Sequence, residues 1–262
     1  MSDLKVLTLK ELKSKGIDVD VLFWIGCSGS FDERSKKITK SFVKILNNAK
    51  ISFGVLGTEE SCTGDPAKRS GNEYLFQIQA LKNIETLKKY KFNKIVTTCP
   101  HCFNTLKNEY PELGGNYDVT HHTEFLEDLF NKGKLKVEKG SFKGKRITYH
   151  DPCYLGRANN VYEAPRNLIK QLDFDLSEMK NCKSKALCCG AGGAQMFKDP
   201  EPGNKEINIK RTEQALETNP SIIAAACPFC KTMMSDGLKS KEKDKSISVK
   251  DIAELICDSK KL

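Results

Sequence analysis

The chain has 262 residues, 39% hydrophobic and 29% charged, with a formal net charge of +9. That length suits about two domains with their own cores, and no apolar run approaches the roughly 20 residues that cross a bilayer, so the expectation is a soluble, cytoplasmic protein without a membrane span. The basic balance includes lysine runs such as KSKEKDK at 239–245, read as solvated surface able to steer docking to an acidic redox partner. With no aromatic residues among those lysines and no nucleic-acid motif, no nucleic-acid partner is expected.

In chain order, MSDLKVLTLKELKSKG lacks the apolar centre of a secretory signal. VDVLFWI at 19–25 has the length of a buried strand and ends at Gly26 and Cys27. Ile38, Phe42, Ile45 and Leu46 follow at helical spacing. ISFGVL at 51–56 reads as a second strand, leading into a loop with Cys62 and a long helix carrying Leu75, Ile78, Leu81, Ile84 and Leu87. A third strand, KIVTT, runs into Cys99, and His121 and His122 sit near a further strand end without an assigned role. The stretch NKGKLKVEKGSFKGKR marks the expected boundary, giving domains 1–138 and 139–262. The second half then repeats the order, with RITYHD leading to Cys153 and SIIAAA at 221–226 leading to Cys227.

Strands alternating with helices predict an α/β fold with two tandem homologous domains, each a mainly parallel sheet flanked by helices. Sites in such sheets form beyond the carboxyl ends of strands, which is where Cys27, Cys99, Cys153 and Cys227 are expected. Pro100 and Pro228 suit the first position of a helix, so each CxxC is expected to open one. A helix amino terminus favours thiolate and an anionic cluster.

Nine of the eleven cysteines fall into two matching sets: Cys27, Cys62, Cys99 and Cys102, then Cys153, Cys188, Cys189, Cys227 and Cys230. Thirty-four residues separate Cys27 from Cys62, and 34 separate Cys153 from Cys188. Each set closes with a CxxC containing proline, as IVTTCPHC and IIAAACPFC. Cys182 and Cys257 stand outside the pattern and read as small buried side chains. In a reducing compartment this many cysteines point to metal ligands or redox groups rather than disulfides. Distant cysteines tied to each CxxC argue against a thioredoxin-like motif.

Thiolate-only sites suit zinc or an iron-sulfur cluster. Five thiolates exceed what tetrahedral zinc uses, so the second set points to iron-sulfur, whereas the four of the first set suit either. Gly64, Gly190, Gly192 and Gly193 follow the central cysteines, where backbone can approach sulfur and offer N–H donors. GAGGA lacks the full GxGxxG spacing and a strand leading into it, so no nicotinamide or flavin site is read there. His101 and His150 flank the sets and are read as surrounding the cluster by hydrogen bonding or packing rather than as ligands.

The pattern C-x34-CC-x37-CxxC with the tail CCGAGG resembles the CCG-domain (cysteine-rich domain) iron-sulfur oxidoreductases. That family includes the B-type subunit of heterodisulfide reductases, the A-type subunit of lactate-utilisation complexes, and cluster subunits of glycolate and glycerol-3-phosphate oxidases. The resemblance implies a non-cubane [4Fe-4S] cluster on Cys153, Cys188, Cys189, Cys227 and Cys230. Thr63 stands where the first motif's paired cysteine belongs, leaving a cubane, an altered cluster, zinc or no metal open for the first set.

The implied function is an iron-sulfur subunit of a cytoplasmic oxidoreductase complex, active with a partner carrying ferredoxin-type clusters or flavin. Docking to a membrane-bound partner stays open. Disulfide cleavage at the second cluster and simple relay in 2-hydroxy-acid oxidation, such as that of lactate or glycolate, are the competing mechanisms. A non-enzymatic zinc-stabilised scaffold or docking protein is the alternative class, and it has no use for a fifth cysteine.

Overall fold

The computed structural model describes residues 6–138, 140–199 and 202–262. Residue 139, the expected start of the second domain, and the first five residues of the amino-terminal segment lie outside the described residues.

Two four-stranded sheets are built alike, and every pairing in them is parallel. The first has the order β2-β1-β3-β4, from β1 (Val21–Trp24), β2 (Phe53–Gly54), β3 (Lys94–Thr97) and β4 (Val119–His121). The second has the order β6-β5-β7-β8, from β5 (Arg146–Tyr149), β6 (Asp175–Leu176), β7 (Ile222–Ala225) and β8 (Ser248–Asp251). All residues of β1 and β7 are buried, as expected of central strands covered by helices on both faces. In each sheet the chain order reverses beside the first strand, between β1 and β3 and between β5 and β7. Such a switch point opens a crevice beyond the strand ends.

The run at 51–56 contributes only two residues of regular strand, and Thr8 bridges to Val55 at that edge. Ile38, Phe42, Ile45 and Leu46 all lie on the helix Glu33–Asn48 and are buried. The helix Glu73–Leu87 carries the expected apolar residues, but Leu75, Ile78 and Leu81 are 41%, 45% and 46% exposed while Ile84 and Leu87 are buried. A strict three-residue spacing drifts around a 3.6-residue turn, so one face cannot bury all five.

The halves pack reciprocally. Ile252–Lys260 of the second half lies on Glu33–Asn48 of the first, and His122–Asn131 of the first lies on Glu163–Gln171 of the second. One hydrophobic core runs through both, containing Phe23, Phe42 and Leu126 with Ile147, Leu168 and Ile256. Each such fully buried side chain contributes about 1.5–3 kcal/mol relative to exposure. Cys257 is buried in this seam, its thiol donating to the Ser41 carbonyl at 3.3 Å, while Cys182 is half-buried. His121 and His122 are also fully buried here, and His122 Nε2 lies 3.0 Å from Asp251 Oδ1 of the second half. Among the described residues, no helix is long and apolar enough to cross a membrane.

Candidate metal centre

Each cysteine set is assembled from one short segment after a first strand, one loop and one helix start. Cys27 lies in Gly26–Phe31, three residues beyond β1, and Cys153 opens Cys153–Gly156, four residues beyond β5. Cys99 caps Pro100–Asn104 two residues beyond β3, and Cys227 caps Pro228–Ser240 two residues beyond β7, with both prolines at the first helical position. Cys27, Cys62, Cys153 and Cys188 are half-buried, whereas Cys99, Cys102, Cys189, Cys227 and Cys230 are buried.

The nine sulfurs meet in two chains of contacts. Cys27 is hydrogen-bonded to Cys62, and separately Cys102 to Cys99. In the second set contacts run from Cys153 through Cys188, Cys189 and Cys230 to Cys227. The sets touch, because the Cys227 thiol donates to the Cys99 sulfur. Sulfurs that receive donors are held toward thiolate: hydrogen bonds from Cys27 and then Gly64 bring Cys62 down to about 7 against its burial, and donors from Cys153, Cys189 and Gly190 bring Cys188 well below the usual thiol range. Thr63 occupies the site corresponding to Cys189, and its hydroxyl donates to Cys102 Sγ at 3.9 Å, where Cys189 meets Cys230 in the second half. Five contiguous sulfurs on one side, and four with a hydroxyl on the other, fit an iron-sulfur group in their donor chemistry.

Backbone donors repeat with the sulfurs. Gly64 N–H lies 3.4 Å from Cys62 Sγ, and Gly190 N–H lies 3.3 Å from Cys188 Sγ. Both glycines are left-handed, with φ of 91° and 92°, a region that side chains reach only with strain. A Cβ on Gly64 would also stand 2.8 Å from the Phe76 ring. Around Gly192 and Gly193, by contrast, the Cβ positions are open.

Carboxylates tie the loops together, in opposite directions in the two halves. Glu60, two residues before Cys62, accepts from Ile25 N at 3.0 Å and Gly26 N at 2.6 Å, fixing the approach to Cys27. Asp151, two residues before Cys153, accepts from Lys183 N at 2.8 Å and pairs with both terminal nitrogens of Arg166 at 2.7 and 2.9 Å. Asn83 Nδ2 donates to the Cys62 carbonyl, and the Tyr110 hydroxyl donates to that of Thr63, so the Cys62 loop is held by side chains as well.

His101, like Cys99, reaches across to the second half. Its ring lies 4.3 Å from the Tyr154 ring and 5.4 Å from that of Phe229, and its Nδ1 is 2.8 Å from Asp65 Oδ2. Burial opposes its protonation, and the Asp65 carboxylate and Cys99 sulfur outweigh that, so its pKa is raised. His150 is fully buried, a ring nitrogen lying within 4.8 Å of both Cys189 and Cys230 sulfurs. Burial and the Arg211 guanidinium push the His150 imidazole down to about 3.

Sequence reading missed Glu60, Asp65, Asp151, Arg166 and Arg211. Asp65 stands in SCTGDPAKR, three residues past a cysteine. Arg211 carries no motif signal, sitting on the helix Ile207–Leu216 whose buried stripe is Asn208, Arg211, Thr212 and Ala215.

Paired all-parallel sheets with cysteines gathered at matching switch points define a duplicated, cysteine-rich α/β protein. The sequence matches the cysteine-rich domain (CCG) twice, over residues 21–107 and 147–235, and the chain belongs to that family. It is 46% identical over 258 residues to the probable iron-sulfur-binding oxidoreductase FadF of Bacillus subtilis, covering 98% of this chain and 36% of that protein. It is 45% identical to the EtfAB:quinone oxidoreductase of Syntrophomonas wolfei, covering 94% of this chain and 35% of the other. Identity to a heterodisulfide reductase subunit of Methanosarcina barkeri is 36%, over 92% of this chain and 59% of that protein. The chain thus spans between about a third and three fifths of the length of these relatives.

Proposed function

We propose that this chain is the cluster-bearing part of a cytoplasmic iron-sulfur oxidoreductase and relays electrons between two adjacent cysteine-held centres. The observation that carries the reading is the sulfur contact between Cys99 and Cys227, which joins the two sets. Cys153, Cys188, Cys189, Cys227 and Cys230 are proposed to hold a non-cubane [4Fe-4S] cluster, and Cys27, Cys62, Cys99 and Cys102 a cubane, in domains taken as 1–138 and 139–262. Such clusters, when bound, supply one-electron transfer. The protein's part is to present sulfurs at fixed spacing, direct the Gly64 and Gly190 N–H groups at them, and keep water from the buried ones.

Relay is favoured over disulfide cleavage at the second set. Cys62 lines an apolar cleft of about 400 Å³ with Leu75 and Phe197, while Cys189, Cys227 and Cys230 are buried. The partner is a subunit or domain carrying ferredoxin-type clusters or flavin. The relatives' greater length and their names, which speak of EtfAB, quinone and heterodisulfide, support that partner over direct oxidation of lactate or glycolate.

The test is anaerobic purification with iron, sulfide and zinc analysis of wild type and Cys189→Ser. The reading expects about eight irons with matching sulfide in wild type and about four in the variant. Zinc without sulfide overturns it in favour of the scaffold.

A further inference from the structure

Behind the second centre lies a buried polar pair with no role in holding sulfur. Arg211 is fully buried, and its Nε donates to His150 Nδ1 at 3.0 Å. Arg211 itself is oriented by the Asn181 carbonyl and Gln214 Oε1, both at 2.8 Å. Guanidinium only donates, so Nδ1 must present its lone pair, and the proton of the neutral ring sits on Nε2. A protonated Nε2 cannot coordinate metal. It has no partner among the described residues, although the ring approaches the Cys189 and Cys230 sulfurs.

The first half supplies an internal comparison. Trp24 stands three residues before Cys27, as His150 stands three before Cys153. It too is fully buried, and its indole N–H has no acceptor among the described residues. Tryptophan is a donor only, so both halves place an N–H group, and no possible ligand, at this position.

We propose that His150 and Arg211 form a built-in hydrogen-bond donor to the second centre, with His150 Nε2–H directed at the Cys189–Cys230 edge and Arg211 the positioning residue that fixes this tautomer. The proposal rests on the cluster reading above. A donor to thiolate stabilises the more negative, reduced state, so the pair raises the potential of the second centre.

The experiment is an EPR-monitored redox titration of cluster-loaded wild type, His150→Phe, His150→Gln, Arg211→Met and Arg211→Lys. In His150→Phe the reduced-to-oxidised ratio of the second centre at the wild-type midpoint should fall about tenfold, ~59 mV for a one-electron couple. Arg211→Met should shift it the same way by less, and Arg211→Lys by less again. His150→Gln, which keeps an N–H donor, should recover part of the loss, and the first centre should not move. On wild type alone, pulsed EPR with 15N-histidine and with deuterium exchange should give a weak nitrogen coupling and an exchangeable proton. An unmoved midpoint in His150→Phe, or a strong nitrogen coupling of direct ligation, overturns the donor assignment. A wild-type chain without iron and sulfide overturns the cluster reading itself.

Discussion

The two halves share a strand order, a cysteine spacing, a first-loop cysteine on the central sulfur and a glycine N–H aimed at it, yet they differ in the residues around them. Thr63 faces Cys102 where Cys189 faces Cys230, Asp65 stands where Ala191 does, and His101 where Phe229 does. Glu60 reaches from the second loop to the first in one half, whereas Asp151 reaches from the first loop to the second in the other. Duplication therefore kept what positions the thiolates and changed what surrounds them. Two identical centres would have equal potentials and give electrons no preferred direction.

The comparison can be broken most forcefully at the two ties. Arg166 and Asp151 have side chains only 3% and 4% exposed, so Arg166→Ala leaves a buried carboxylate unpaired. It should cost about 3–5 kcal/mol of unfolding free energy, read from denaturant midpoints, with loss of iron from the second centre before the first. Glu60→Gln keeps one acceptor oxygen for the Ile25 and Gly26 N–H groups, so it should cost about 1–3 kcal/mol and disturb the first centre alone. Equal loss at both centres in either variant would mean that the ties are not local.

Thr63→Cys sharpens the comparison without a change of volume. It restores the paired cysteine of the first set, and EPR of the reduced variant should show the first centre's signal converted toward that of the second. An unchanged signal would mean that the fifth sulfur does not decide cluster type.

The smallest expected effect is on pH dependence at the seam. Burial and then the neighbouring His122 hold the His121 pKa well below its ordinary value. Below about 6.5 the unfolded chain takes up a proton that folded His121 does not, so stability falls as pH drops, by up to ~1.4 kcal/mol per pH unit. Urea midpoints at pH 7 and pH 5.5 should differ in that direction, and equal midpoints would contradict it.

Much of this was legible in the sequence because cysteine has few uses at such spacings, and because β1, β3 and β7 are short, mostly apolar runs that lead into cysteines. The edge strands were harder. SVKD in β8 is polar and only its last residue is buried, so no apolar signal marks it. The surroundings of the second centre were hidden for a related reason. Arg211 lies on a helix face whose other buried residues are Asn208, Thr212 and Ala215, a stripe with helical spacing in which only the alanine is apolar. The helix carrying Leu75, Ile78 and Leu81 was legible, but their spacing does not say which side chains are buried, and the pitch of the helix turns these three outward.

The central claim is that the two centres are electronically adjacent through Cys99 and Cys227, and EPR of the fully reduced wild type beside Cys189→Ser tests it most directly. Spin interaction between two iron-sulfur centres in wild type, replaced by an isolated first-centre signal in the variant, is the predicted result. Two non-interacting signals, or no paramagnetic iron at all, would contradict it.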